Sequence, residues 1–93
     1  MILHPIEWSA GEKAWRFFCP GCKQFHPIVE GQWQFNGDME RPTFSPSLLV
    51  GAGTNEVCHS FIVDGKIQYL SDCFHELAGS TVDMPHSERK GMK

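Results

Sequence analysis

Seven of the nine cysteines and histidines of this chain, residues of types that bind transition metals, fall into three clusters: Cys19, Cys22 and His26; Cys58 and His59; Cys73 and His75. Cys19-Pro20-Gly21-Cys22 has the form of a metal knuckle. A short turn aims two thiolates at one point, and its glycine relieves the backbone where the chain bends. The four cysteines form the pattern C-x2-C-x35-C-x14-C. Zinc takes about four ligands and binds thiolates strongly, so Cys19, Cys22, Cys58 and Cys73 are the expected site, holding one zinc per chain. His59 and His75 are the substitutes should Cys73 point away. His26, near the first pair, is a further alternative ligand or functional residue. His4 and His86 have no such context.

Other uses of these residues meet physical objections. A redox C-x-x-C sits at a helix N-terminus, whose dipole lowers the first thiol's pKa. Here Pro27 biases His26 away from helix and leaves little length for one after Cys22. A catalytic metal would need three protein ligands and an open position, with Asp72 or Glu76 as acid or base. The chain lacks H-E-x-x-H, and a thiolate-rich ligand set belongs to closed structural sites. Ser45 and Ser47, in "TFSPS", read as turn-capping residues, since nothing in the sequence places an activating partner beside them. The balance leans away from an enzyme.

The elements that position these residues are mostly strands. "AWRFFC" runs as a strand into the first cysteine pair. "GQWQFNGDME" carries the turn dipeptide Asn36-Gly37, and a three-residue loop, Asn36 to Asp38, would set Phe35 opposite Met39. Pro42 and Pro46 make "RPTFSPSLLV" an edge or bulged strand. In "CHSFIVDGKIQYLSDC", Asp64-Gly65 predicts a type I′ hairpin in which Ile62 faces Ile67 and Ser60 faces Tyr69. Side chains alternate along a strand, so Cys58, Ser60, Ile62, Ile67, Tyr69 and Ser71 share one face, with Cys73 if the strand continues. His59, Phe61, Val63 and Leu70 share the other. "SDCFHELAG" allows at most a helical turn or two. The expected fold is a small, mostly-β, zinc-stabilised domain of antiparallel hairpins, zinc-ribbon-like, with one short helical turn.

Size and charge narrow the classes further. Ninety-three residues make a single zinc-binding domain, residues 1–93, with residues 1–12 and 86–93 as less ordered ends. A chain this short buries only about 60% of its unfolded surface and usually needs a staple. The start, "MILHPIEWSAGEKAW", shows neither a basic n-region nor an apolar run of signal length, and no segment is long enough to span a membrane. A reducing cytoplasm is therefore the expected location, where clustered cysteines bind metals more often than they cross-link. A net charge of −3 argues against nucleic acid.

"WRFFCPGCKQFH", "FNGDMERPTFSPSLLV" and "CHSFIVDGKIQYLSDCFHELAGSTVDMP" resemble a family of small, uncharacterised phage and prophage proteins, sometimes labelled ammonia monooxygenases. Members of that family commonly carry the equivalents of Cys19, Cys22, His26, the PTFSPS segment, Cys58-His59, Asp72-Cys73 and His75. The loop after Val50 is shorter here than in many relatives. The resemblance implies a phage-encoded zinc protein acting inside a bacterial host. The monooxygenase label does not suit a thiolate-rich site in a short chain with no membrane span. The expected role is a protein-interaction or regulatory module that engages a host or phage protein, with countering host defence as one such role. A small zinc-dependent hydrolase or nucleotide-processing enzyme is the alternative, and a nucleic-acid-binding zinc ribbon is a weaker one.

Overall fold

Eight strands carry the regular structure of residues 1–86, the part of the chain that the computed structural model describes. β1 (His4–Glu7), β2 (Lys13–Cys19) and β3 (Gln24–Val29) form one antiparallel sheet in that order. β4 (Gln34–Phe35), β5 (Phe44–Val50), β6 (Cys58–Val63), β7 (Lys66–Tyr69) and β8 (Thr81–Asp83) form a second, again in chain order and antiparallel. The fold is therefore mostly β, as the alternating patterns and turn dipeptides imply. Each strand pairs with its neighbour in sequence, so only short crossings are needed.

Both sheets feed one core. Leu3, Phe17 and Ile28 from the first meet Phe44, Leu48, Ile62, Ile67 and Tyr69 from the second. Along β6 the buried positions are Cys58, Ser60 and Ile62, while Phe61 and Val63 are exposed. That alternation follows from the β6–β7 hairpin, whose register is the expected one: Ser60 pairs with Tyr69, Ile62 with Ile67 and Val63 with Lys66. Asp64 and Gly65 both have positive φ, 54° and 79°, as a type I′ turn requires.

Several expectations are corrected. The "SDCFHELAG" stretch forms consecutive turns without helix, and the helical residues described are a 3-10 turn at Ser9–Gly11. Strand β7 ends at Tyr69, so Cys73 does not extend its inward face. Residues 1–12, expected as a loose end, supply β1 and the buried Ile2, Leu3 and His4. Of the expected loose tail, residues 87–93 lie outside the described residues. The loop after Phe35 is wider than three residues. Asn36 holds it open by accepting at Oδ1 from the Asp38 and Thr43 N–H groups, which lets Phe35 pair with Phe44. Strand β5 lies inside its sheet rather than at an edge, and it is bulged: three residues, 45–47, stand between the Phe44–Ile62 and Leu48–Ser60 pairs.

Candidate functional site

The β2–β3 hairpin ends in the Cys19–Cys22 turn. It closes with Lys23 N–H donating to the Cys19 carbonyl at 2.7 Å, and Lys23 takes the left-handed conformation (φ 60°). The Cys22 N–H donates to Cys19 Sγ at 3.4 Å, which turns that sulfur back over its own loop. Facing the tip are Cys58, from the inner face of β6, and His75, from the turns after β7. The ligand atoms of Cys19, Cys22, Cys58 and His75 all lie within 4.8 Å of one another, so these four residues could hold a metal ion. Cys19 Sγ is 4.0 Å from Cys58 Sγ, and Cys58 Sγ is 3.4 Å from His75 Nε2. For metal–sulfur bonds of about 2.3 Å, a tetrahedron sets its sulfurs about 3.8 Å apart. The spacing fits.

The surroundings favour a cation there. Tyr69, fully buried, places its hydroxyl 3.0 Å from Cys19 Sγ and stacks edge-on against His75 at 4.5 Å. The Cys19 thiol is held far below its ordinary range. Its hydrogen bond with Cys58 is the main cause, and His26, Tyr69 and the Cys22 N–H add to it against the effect of burial. Cys58 is driven the other way, first by sharing its proton with Cys19 and then by burial. Burial, followed by the Cys19 charge, pushes Cys22 up to about 11. Three thiols thus compete for charge in a space too small for three uncompensated thiolates, and a bound cation relieves that competition. Gly21 belongs to the same design, since a Cβ there would overlap the His75 ring.

A second constellation lies on the opposite face of β6. His59 follows Cys58, so its ring points outward. Ser47, in the β5 bulge, brings its Oγ to 3.0 Å from His59 Nε2. Asp72, in the turn after β7, brings Oδ2 to 3.2 Å from His59 Nδ1. A carboxylate can only accept, so it fixes the proton on Nδ1 and leaves Nε2 free to accept from the Ser47 hydroxyl. Nucleophile, base and orienting acid are thereby connected in the order that a Ser-His-Asp triad requires. The bulge matters here. An extra length of strand re-aims a side chain that a regular ladder would fix, and the Trp33 Nε1–H anchors this one by donating to the Ser47 carbonyl at 3.2 Å. Side-chain exposures of 25% for His59 and 59% for Asp72 leave the site open to a substrate.

The candidates from the sequence therefore divide between two sites. Cys19, Cys22 and Cys58 meet as expected, but His75 stands where Cys73 was expected. Cys73 Sγ instead accepts from the His59 N–H at 3.2 Å and donates to the His59 carbonyl at 3.1 Å. The chain turns after Leu70, and that turn carries Cys73 to the backbone of β6 rather than to its inner face. His59 and Asp72, considered as a metal ligand and a metal-site base, are partners of each other. His26 is buried against Phe17 behind Cys19. Glu76 is exposed. The sequence places no activating partner beside Ser47, and the bulge brings it to one on the neighbouring strand, His59. The chain order Ser47, His59, Asp72 matches no short motif, so only the pairing of β5 with β6 could have revealed it.

No curated protein and no solved structure matches the chain. A family model described as bacterial ubiquitination-like system serine protease (BubE) matches residues 4–70. That span holds Ser47, His59 and the three clustered cysteines, with Asp72 and His75 just past its end. It covers well over half of the sequence, and the chain belongs to that family.

Proposed function

We propose that the protein is a serine peptidase whose nucleophile is Ser47, whose general base is His59 and whose orienting carboxylate is Asp72. The observation that carries this reading is the continuous hydrogen-bond path from Ser47 Oγ through His59 to Asp72. As Oγ attacks an acyl carbonyl, its proton passes to His59 Nε2 and Asp72 stabilises the imidazolium that forms. His59 then gives that proton to the departing amine. Water, deprotonated in turn by His59, releases the acyl group from Ser47 and restores the hydroxyl. The family's description supplies the peptide bond as the reaction class and a ubiquitination-like system as the setting. A polypeptide substrate is then the protein partner of this chain, in a bacterial host by the phage resemblance.

The metal in this proposal is one zinc, held by Cys19, Cys22, Cys58 and His75. It would supply charge neutralisation for the thiolates and a rigid tie, with no open position for a reacting water. Hydrolysis therefore belongs to Ser47 rather than to a metal-bound hydroxide, and Asp72 serves His59.

A fluorophosphonate probe tests the reading, because it reacts with activated serines. Mass spectrometry should find the adduct on Ser47. Ser47→Ala and His59→Ala should each lower hydrolysis of an activated ester by at least about a thousandfold. Labelling elsewhere, or a fully active Ser47→Ala protein, would overturn the proposal.

A further inference from the structure

We infer that Leu49 and Phe61 are specificity-determining residues, forming an apolar rest for the substrate side chain next to the bond that Ser47 attacks. This rests on the triad reading and goes on to say what the triad prefers. Seven large apolar residues are exposed among the described residues, and three of them, Leu49, Phe61 and Val63, lie on β5 and β6. Strand alternation puts all three on the outer face of the five-stranded sheet, the face that carries Ser47 and His59. Leu49 pairs directly with His59 across the ladder. Directly paired residues bring their Cβ atoms to about 5 Å, so Leu49 flanks the base itself. Phe61 stands two residues along β6 from His59, opposite the bulge that presents Ser47. The nucleophile and base are therefore bordered by apolar side chains along both strands, with Leu49 50% exposed and Phe61 37% exposed.

Single exposed apolar residues need no explanation, but their concentration around a reactive pair does. The outer face of an antiparallel sheet is ordinarily polar. The occupant is set by the triad. A reacting carbonyl must come within about 3.5 Å of Ser47 Oγ, so the residue bearing it lies over this same face. An apolar side chain on that residue would cover Leu49 and Phe61 and remove them from water. A carboxylate would be desolvated there, with no lysine or arginine on either strand to pair with it.

The test uses p-nitrophenyl esters of N-acetyl-leucine and N-acetyl-aspartate, with p-nitrophenyl acetate as a substrate lacking a side chain. The wild-type protein should favour the leucine ester over the aspartate ester by about tenfold or more. Leu49→Asp and Phe61→Asp should each lower kcat/KM for the leucine ester relative to that for the acetate ester by about tenfold. The milder Leu49→Ser and Phe61→Ser changes should move in the same direction. Equal rates on the two amino-acid esters, or a preference that survives all four substitutions, would overturn this inference while leaving the triad intact. If no ester is hydrolysed, or Ser47→Ala hydrolyses them all, the catalytic reading fails and this inference falls with it.

Discussion

Cys58 and His59 are consecutive, yet they face different chemistry, because a strand turns neighbouring side chains to opposite faces. Cys58 joins the cysteine and histidine cluster, and His59 meets Ser47 and Asp72. Cys73 is not one of the four clustered residues. It grips the His59 backbone from both sides, which makes it a positioning residue for the proposed base. Cys73→Ala should therefore keep the metal, while kcat for ester hydrolysis falls about tenfold and KM stays unchanged, from the loss of two modest hydrogen bonds. Cys73→Ser, which can still donate and accept, should recover part of the rate. His75→Ala should do the reverse and lose the metal, as measured by elemental analysis after dialysis. A Cys73→Ala protein stripped of metal, beside a His75→Ala protein that keeps it, would restore the four-cysteine site. The sequence made three of the four clustered residues legible, because a C-x-x-C turn and an inward-facing strand position are local properties. The fourth depended on where the chain turns after β7, which no local pattern specifies.

At the scale of elements, a turn and a bulge decide the two sites. The Cys19–Cys22 turn works because Gly21 leaves room for the His75 ring. Gly21→Ala would force that ring or the knuckle aside. The variant should release its metal to a chelator faster than wild type, as followed with a colorimetric metal indicator, and it should melt at a lower temperature. Unchanged release would show that the histidine does not seat against the turn. The β5 bulge plays the matching part for Ser47. Pro42 and Pro46 made an irregular strand legible, since proline cannot donate to a ladder. They did not reveal which way Ser47 would aim, because that depends on how many residues the bulge absorbs against β6. The β6–β7 hairpin is the opposite case. Asp64-Gly65 selects its own turn, the turn selects the register, and the register settles which residues are buried.

The two sheets share a core, and the cluster of Cys19, Cys22, Cys58 and His75 spans them at one end: two of its residues come from the hairpin tip of the three-stranded sheet, and two from β6 and the turns after β7. Over 93 residues the buried apolar surface leaves a thin margin, so a metal held there would contribute its binding free energy to folding. The same segments carry two members of the proposed triad. His59 is adjacent to Cys58, and Asp72 precedes His75 by three residues. Loosening the cluster therefore loosens the base and its carboxylate before it reaches the distant β6–β7 turn. Titrating the protein with a zinc chelator should abolish fluorophosphonate labelling of Ser47 at or before the point where cooperative melting is lost. Adding zinc back should restore both. Labelling and melting that both persist after complete metal removal would show that the apolar core alone holds the triad. Loss of melting while labelling persists would separate the two sites, contrary to their shared strand.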